Sequence, residues 1–316
     1  MHRFFPARCF RLASLALLWA TTMLSHAADA PPQIVTFCSY NVKNWLYMDR
    51  TWGDKPVDPK GKPQKEKDKV VAFLKEINPD VLGVCEIGTD ADFADLKKHL
   101  ADAGLHYEHT ERAHGGDPTR TLGLLSRFPI TARNSQTSLT YLIGEQTFPF
   151  QRGILDATIQ VTPEFSFRAL GVHLKSMRAI PEADQSVMRR NEAHLLRKHI
   201  DSILSTDPTT KLMAYGDFNE HPRNPPLDEI RGSRESPETS MSDVYLKDIN
   251  GEIWTHFWDF EDTYSRLDYI FVNKAFHPHV KARDSFIYSA KDFDDGSDHR
   301  PLVLKISVES TKAKKP

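Results

Sequence analysis

Leu212-Met213-Ala214-Tyr215-Gly216-Asp217-Phe218-Asn219 reads as a short buried strand that ends in an acid and an amide two residues apart. Four consecutive apolar residues fit a strand covered on both faces. The polar pair that follows sets donors for a hard ion or a water at the strand's rim. The same pattern recurs along the chain. A strand over 34–40 closes with Asn41, one over 81–85 closes with Glu86, and one over 167–172 closes with His173. Ser265-Arg266-Leu267-Asp268-Tyr269 opens a strand over 267–272, and Gly296-Ser297-Asp298-His299-Arg300-Pro301 leads into another over 302–308. Polar groups at the ends of buried strands are where a rigid scaffold collects catalytic side chains.

Further strands are expected over 122–125 and 154–161. Helical spacing of apolar residues predicts helices over 65–77, 90–103 and 186–204. Asn78-Pro79 stops the first and Gly104 closes the second. Strands mixed with helices in this order give an α/β or α+β layered domain, and no repeat at a fixed period is visible. Two polar stretches, 48–65 with Lys55, Lys60, Lys62 and Lys65, and 224–242 rich in Pro and Ser, read as loops outside the core.

Taken one at a time, these residues have ordinary readings. Asp217-Phe218-Asn219 is a turn, His173 a core histidine, Glu86 a helix cap, and Asp298-His299 a surface pair. Their joint occurrence, in order across the chain, is what points to a reaction centre. The ordered set resembles the endonuclease/exonuclease/phosphatase superfamily, the group that includes DNase I, abasic-site endonucleases and bacterial sphingomyelinases. Gly216-Asp217-Phe218-Asn219 and Ser297-Asp298-His299-Arg300-Pro301-Leu302 carry most of the likeness. Pro79-Asp80-Val81-Leu82-Gly83-Val84-Cys85-Glu86 and Leu124-Leu125-Ser126-Arg127-Phe128-Pro129-Ile130 support it. The resemblance implies a four-layered α/β sandwich, two packed mixed sheets flanked by helices (DNase I-like), spanning 32–308.

A phosphate ester is anionic and resists attack, so its hydrolysis calls for neutralised charge and an oriented water. Mg²⁺ suits this task, with Mn²⁺ or Ca²⁺ as substitutes, because a hard ion takes carboxylate and amide oxygens. Glu86 is the leading expected ligand, with Asn41 and Asp298 beside it. Asp217 and Asn219 would orient the water or bind a second metal if the backbone between them is extended. His299 would act as general base, or bond a phosphate oxygen when protonated, with Asp268 fixing its ring. His173 would donate to a phosphate oxygen or protonate the leaving group. Lys43 and Arg152 are expected phosphate contacts, Arg152 competing with a reading as a solvated surface arginine. What orients His173 is left open, with Arg120 nearby.

The 316 residues, 40% hydrophobic and 27% charged, suffice for a large core, and a net charge of −2 carries no basic excess that would advertise nucleic acid. Arg3, Arg8 and Arg11 followed by the apolar run 12–24 and Ser25-His26-Ala27 read as a signal peptide over 1–27. The protein is therefore expected to be exported, periplasmic or secreted. The mature chain would carry no transmembrane segment and act as a monomer, with 309–316 a polar tail. Cys38 and Cys85 read as buried thiols rather than a disulfide. A nuclease-type phosphodiesterase acting on DNA or RNA is the favoured function. A lipid or small-molecule phosphoesterase is the alternative, and a catalytically inactive binding protein a third. Trp254, Phe257, Trp258 and Phe260 decide part of this: a core strand removes support for the lipid alternative, exposed rings lend it some.

Overall fold

The computed structural model describes residues 1–2, 32–52, 55–57, 60–233 and 235–308, so the expected signal peptide beyond its first two residues and the polar tail lie outside the described residues. The first sheet holds β1 (Gln33–Trp45), β2 (Val81–Ile87), β3 (His109–Ala113), β4 (Thr121–Ser126), β11 (Phe286–Ile287) and β12 (Leu302–Val308); the intervening labels belong to the second. The second sheet holds β5 (Ile130–Arg133), β6 (Leu155–Thr162), β7 (Phe165–His173), β8 (Leu212–Asp217), β9 (Met241–Asp243) and β10 (Asp268–Asn273). Strand order is β11-β12-β1-β2-β4-β3 in the first and β9-β10-β8-β7-β6-β5 in the second. Each sheet has one parallel pair, β1 with β2 and β7 with β8, and the other neighbours are antiparallel.

Each parallel pair is joined through a helix, as a parallel connection requires. Helix α1 (Gln64–Ile77) links β1 to β2, and α3 (Gln185–Thr206) links β7 to β8. Asn78 ends α1 in the left-handed conformation, its N–H returning to the Leu74 carbonyl. Helix α2 (Asp90–Asp102) is capped by Thr89, whose side chain and that of Asp92 exchange bonds with each other's N–H. Glu86 is therefore not the cap of α2.

The sheets pack face to face over Val35, Phe37, Leu124, Leu155, Tyr215, Ile270 and Leu304. Helices α1 and α2 cover the outer face of the first sheet through Val70, Leu74, Leu96 and Leu100, against Cys38, Tyr40 and Val84. Helix α3 covers the second through Leu196 and Ile200, against Leu170, Val172 and Phe271. The architecture is the expected α/β sandwich of two mixed sheets flanked by helices. Cys38 and Cys85 are free and buried. No helix among the described residues is long and apolar enough to cross a membrane.

Two expectations need correcting. The 224–242 stretch is not wholly outside the core, because α4 (Pro225–Arg231) drives Leu227 and Ile230 into it and Met241 is buried too. Its Pro-rich start supplies Pro at the first helical turn, where a missing N–H costs nothing. In the 48–65 stretch, Lys62 is buried and donates to the Lys43 carbonyl at 3.0 Å and to Glu66 at 2.9 Å.

Candidate active site

The period of two in a strand sorts the site residues before any contact is considered. On β1, Val35 and Phe37 face the other sheet, so Ser39 and Asn41 do as well. On β8, Met213 and Tyr215 face inward, which carries Asp217 inward. The same alternation brings His173 after Phe167 and Ala169 on β7, and Asp268 before Ile270 and Val272 on β10. Four polar side chains thus finish the inter-sheet layer at one end. This is the carboxyl end of both parallel pairs, where open α/β sheets place their ligand crevices.

Glu86 is the exception, and its backbone shows how it is managed. Alternation would turn it outward with Leu82 and Val84, which pack on the helices. Instead its φ is +62°, and the pairing register on both sides of β2 shifts around it. Such a bulge re-aims a side chain, and the strain of a left-handed non-glycine residue is of the kind stored at functional sites. Gly216 has the complementary role. At φ +132°, a Cβ there would lie 2.0 Å from the Val172 carbonyl oxygen, so only glycine lets β8 deliver Asp217 beside His173.

The side chains converge on the Asn41 amide. Its Nδ2 lies 3.1 Å from Asp217 Oδ2, 3.4 Å from Glu86 Oε1 and 3.4 Å from His299 Nε2, while its Oδ1 accepts from the Lys43 N–H at 3.1 Å. Asn41 therefore turns its nitrogen, not its oxygen, to the acids. Glu86 Oε2 accepts from the Asn44 N–H at 2.9 Å. Asp268 Oδ2 lies 2.8 Å from His299 Nδ1, and both are buried. His173 Nε2 and His299 Nε2 flank Asp217 Oδ2 at 3.4 and 3.7 Å. Ser297 ties the last segment to the first strand, donating to the Asn41 carbonyl at 2.7 Å and accepting from the His299 N–H.

Asp298 stands at the edge, 3.8 Å from Lys43 Nζ. Asn219 does not meet the condition set for it, since at φ +48° the backbone is not extended. Its N–H bonds Asp217 Oδ1 and its amide donates to the Leu174 carbonyl, so it locks the turn that carries Asp217. Arg152 is not a solvated surface arginine. It is 7% exposed and 3.4 Å from Asp117, and its Nε has no partner among the described residues. His173 Nδ1 likewise has none, and Arg120 bonds Asn44 instead.

The charges set the proton affinities. Burial opposes a charge on His299, yet Asp268, Asp217 and Asp298 outweigh it and hold the imidazole well above its usual range. Burial raises Asp217 toward neutrality against the pull of His299. Burial, then the positive field of Arg152, keeps His173 low and neutral. Burial would raise Asp298, but His299, Lys43 and His256 bring it down. Glu86 and Asp217 meet at the Asn41 amide nitrogen, and Asp268, Asp217 and Asp298 surround His299, so carboxylates gather at the site. Oxygen donors of this kind fit a hard divalent ion. Asp217, Asp268 and His299, with ligand atoms within 4.8 Å of one another, form a set able to coordinate one.

Sequence reasoning missed two residues that the structure ties to this region. Glu192 on α3 is fully buried and accepts from the Gln151 N–H at 2.9 Å and the Lys175 N–H at 2.6 Å, bracing the turns beside Arg152 and His173. A signal existed, because Met188, Glu192 and Leu196 recur every four residues and set an acid in an apolar stripe. His256 pairs with His299 across a β-bridge, rings 4.7 Å apart. No sequence signal singles it out.

A two-sheet sandwich whose seam gathers carboxylates, imidazoles and an amide defines a metal-utilising phosphoesterase. The profile of the Endonuclease/Exonuclease/phosphatase family matches residues 47–299, and the chain belongs to that family. Solved structures share the fold. An endonuclease/exonuclease/phosphatase from Bacteroides vulgatus has 17% identity and TM-score 0.59, over 88% of this chain and 100% of its own. The human Nocturnin catalytic domain with bound sulfate has 18% identity and TM-score 0.58, over 88% of this chain and 95% of its own. Beta toxin from Staphylococcus aureus has 15% identity and TM-score 0.55, over 85% of this chain and 99% of its own. No curated protein sequence matches.

Proposed function

We propose that this chain is an exported phosphodiesterase of the nuclease type, acting on DNA or RNA as a monomer through its 32–308 domain once residues 1–27 are removed. The observation that carries the reading is the convergence of Asp217, Glu86 and His299 on one point, with Asp268 behind the His299 ring. Glu86 and Asp298 would hold Mg²⁺, with Mn²⁺ or Ca²⁺ as substitutes, and Asn41 would join them once its amide turned over. Bound there, the ion would neutralise charge on the phosphate and on the surrounding carboxylates.

The chain's own groups divide the remaining work. Asp217, raised toward neutrality and fixed by Asn219, orients the water and takes its proton as the water oxygen bonds phosphorus. His299, charged and aligned by Asp268, donates to a phosphate oxygen and stabilises the charge that develops there. His173 is kept neutral by burial and Arg152, which suits a hydrogen-bond donor better than an acid. Arg152 and Lys43 contact the phosphate from either side. The bond from phosphorus to the ester oxygen breaks, and that oxygen takes a proton from water in the open cleft.

One panel tests this: bis-(4-nitrophenyl) phosphate, plasmid DNA, RNA, sphingomyelin and phosphomonoesters, each with Mg²⁺, Mn²⁺, Ca²⁺ or EDTA. Cleavage of the diester and a nucleic acid, lost with EDTA, is the expected result. Activity confined to monoesters would overturn it. A lipid substrate is the second reading, favoured by Trp258 and Phe260, which are 49% and 85% exposed rather than part of a core strand. Activity confined to sphingomyelin would select it.

A further inference from the structure

Beside the reacting centre lies a cavity of about 720 Å³ that Asn219 and Asp298 line on one side. Its other wall is a hairpin, His256–Trp258 paired with Thr263–Ser265. The alternation of a strand sends His256, Trp258, Thr263 and Ser265 to the cavity. Phe257 and Tyr264 go the other way, stacked 4.6 Å apart, and pack on Phe293 and Trp254. The hairpin is fixed to the centre it overlooks. Phe257 N–H donates to the Asp298 carbonyl at 2.9 Å, Arg300 N–H to that of Thr255 at 2.7 Å, and Thr255 Oγ1 accepts from the Asp268 N–H at 3.0 Å. Beneath it, Arg300 lies 3.9 Å from the Trp254 ring centre and 2.7 Å from Asp248. Phe260 stacks outside on Trp258, centroids 6.0 Å apart at 29°.

We infer that this hairpin forms a subsite for a planar heteroaromatic ring, a nucleobase, carried on the phosphate ester, with Trp258 as its stacking face. The deduction rests on the phosphodiesterase reading above. A flat ring has an apolar face and a polar edge. The cavity answers both, with Trp258, Met177 and Leu267 for the face and Arg178, Glu261 and Thr263 for the edge. An acyl chain would use only the apolar face and leave the polar groups of Arg178, Glu261 and Thr263 without a partner on the ligand. A platform already held in place loses little freedom on binding.

The test compares two diesters with one leaving group, methyl 4-nitrophenyl phosphate and thymidine 5′-(4-nitrophenyl phosphate), hydrolysed by the full chain with Mg²⁺. Stacking of one base predicts a kcat/KM ratio favouring the nucleoside ester by roughly 10-fold to 100-fold. Trp258→Ala should bring the ratio near one, and Trp258→Tyr should keep most of it. A merely structural role would lower both esters alike and leave the ratio intact, which would overturn the subsite. Binding of thymidine 5′-monophosphate and methyl phosphate in EDTA, by calorimetry, decides the subsite without turnover. The nucleotide should bind about tenfold tighter or better, and equal affinities would overturn the inference. If neither ester is hydrolysed while the nucleotide still binds through Trp258, the diesterase reading falls and the subsite stands. Loss of sedimentation with sphingomyelin vesicles in Trp258→Ala, with no ring preference, would replace the subsite by a lipid contact.

Discussion

Replacing Glu192 by Gln isolates one buried carboxyl that acts on the site from a distance. Each of its oxygens accepts one backbone N–H, from Gln151 and from Lys175. An amide keeps one acceptor and turns an NH₂ group toward the other N–H, so one buried bond is lost. At pH 5 this should cost roughly 2–3 kcal/mol, an unmade hydrogen bond plus an unsatisfied donor. The wild-type side has its own pH dependence. Burial raises the Glu192 carboxyl from 4.5 to about 7, against the N–H bonds and the nearby Arg152 and Lys175. The folded protein then binds this proton more tightly than the unfolded chain, so stability is highest below about pH 4.5 and falls as pH rises through 7. Tenfold steps of 1.36 kcal/mol make that loss roughly 3 kcal/mol. Glu192→Gln has nothing to ionise there and escapes it. Urea unfolding should show the variant less stable at pH 5 and near parity with wild type at pH 8. Hydrogen exchange at 150–153 and 174–176 should speed up at the lower pH. A variant equal to wild type at pH 5, or a deficit that grows toward pH 8, would refute the reasoning.

Other outcomes are as definite. His299→Ala should lower turnover by roughly 10² to 10⁴ with far-UV circular dichroism unchanged; near-normal turnover would remove His299 from the mechanism. Asp268→Asn should lower kcat with little change in KM, because it frees the ring without touching substrate; equal loss in both would mean a packing role. Arg300→Ala breaks a fully buried pair with Asp248 and should cost about 3–5 kcal/mol in chemical denaturation, with a shift under 1 kcal/mol counting against it.

Much of this was legible because strands expose their period. Apolar runs with a polar residue at the end fixed the places of Asn41, His173, Asp217 and Asp268, and the structure extends most of those strands by only a residue or two. Glu86 was found by residue type at a strand end, although alternation alone would have pointed it away, and only the backbone shows the bulge that turns it. Helix α4 was hidden because seven residues with two prolines give too short a periodic pattern. The hairpin was hidden because Trp and Phe at its exposed positions look like core. Glu192 escaped because its role is set by two turns, 17 and 41 residues away in sequence, that only tertiary packing brings together.

Strand β1 opens the domain, yet its antiparallel neighbour is β12, with Gln33 opposite Val308 and Ser39 opposite Leu302. The first segment to be made must wait for the last before its edge is satisfied. His299, just upstream of that closing strand, arrives equally late. Until the residues of β12 have been made, neither a finished sheet nor a working hydrolase can exist. While those two segments are apart the domain stays open, and the reacting centre is completed only in the closing step of folding.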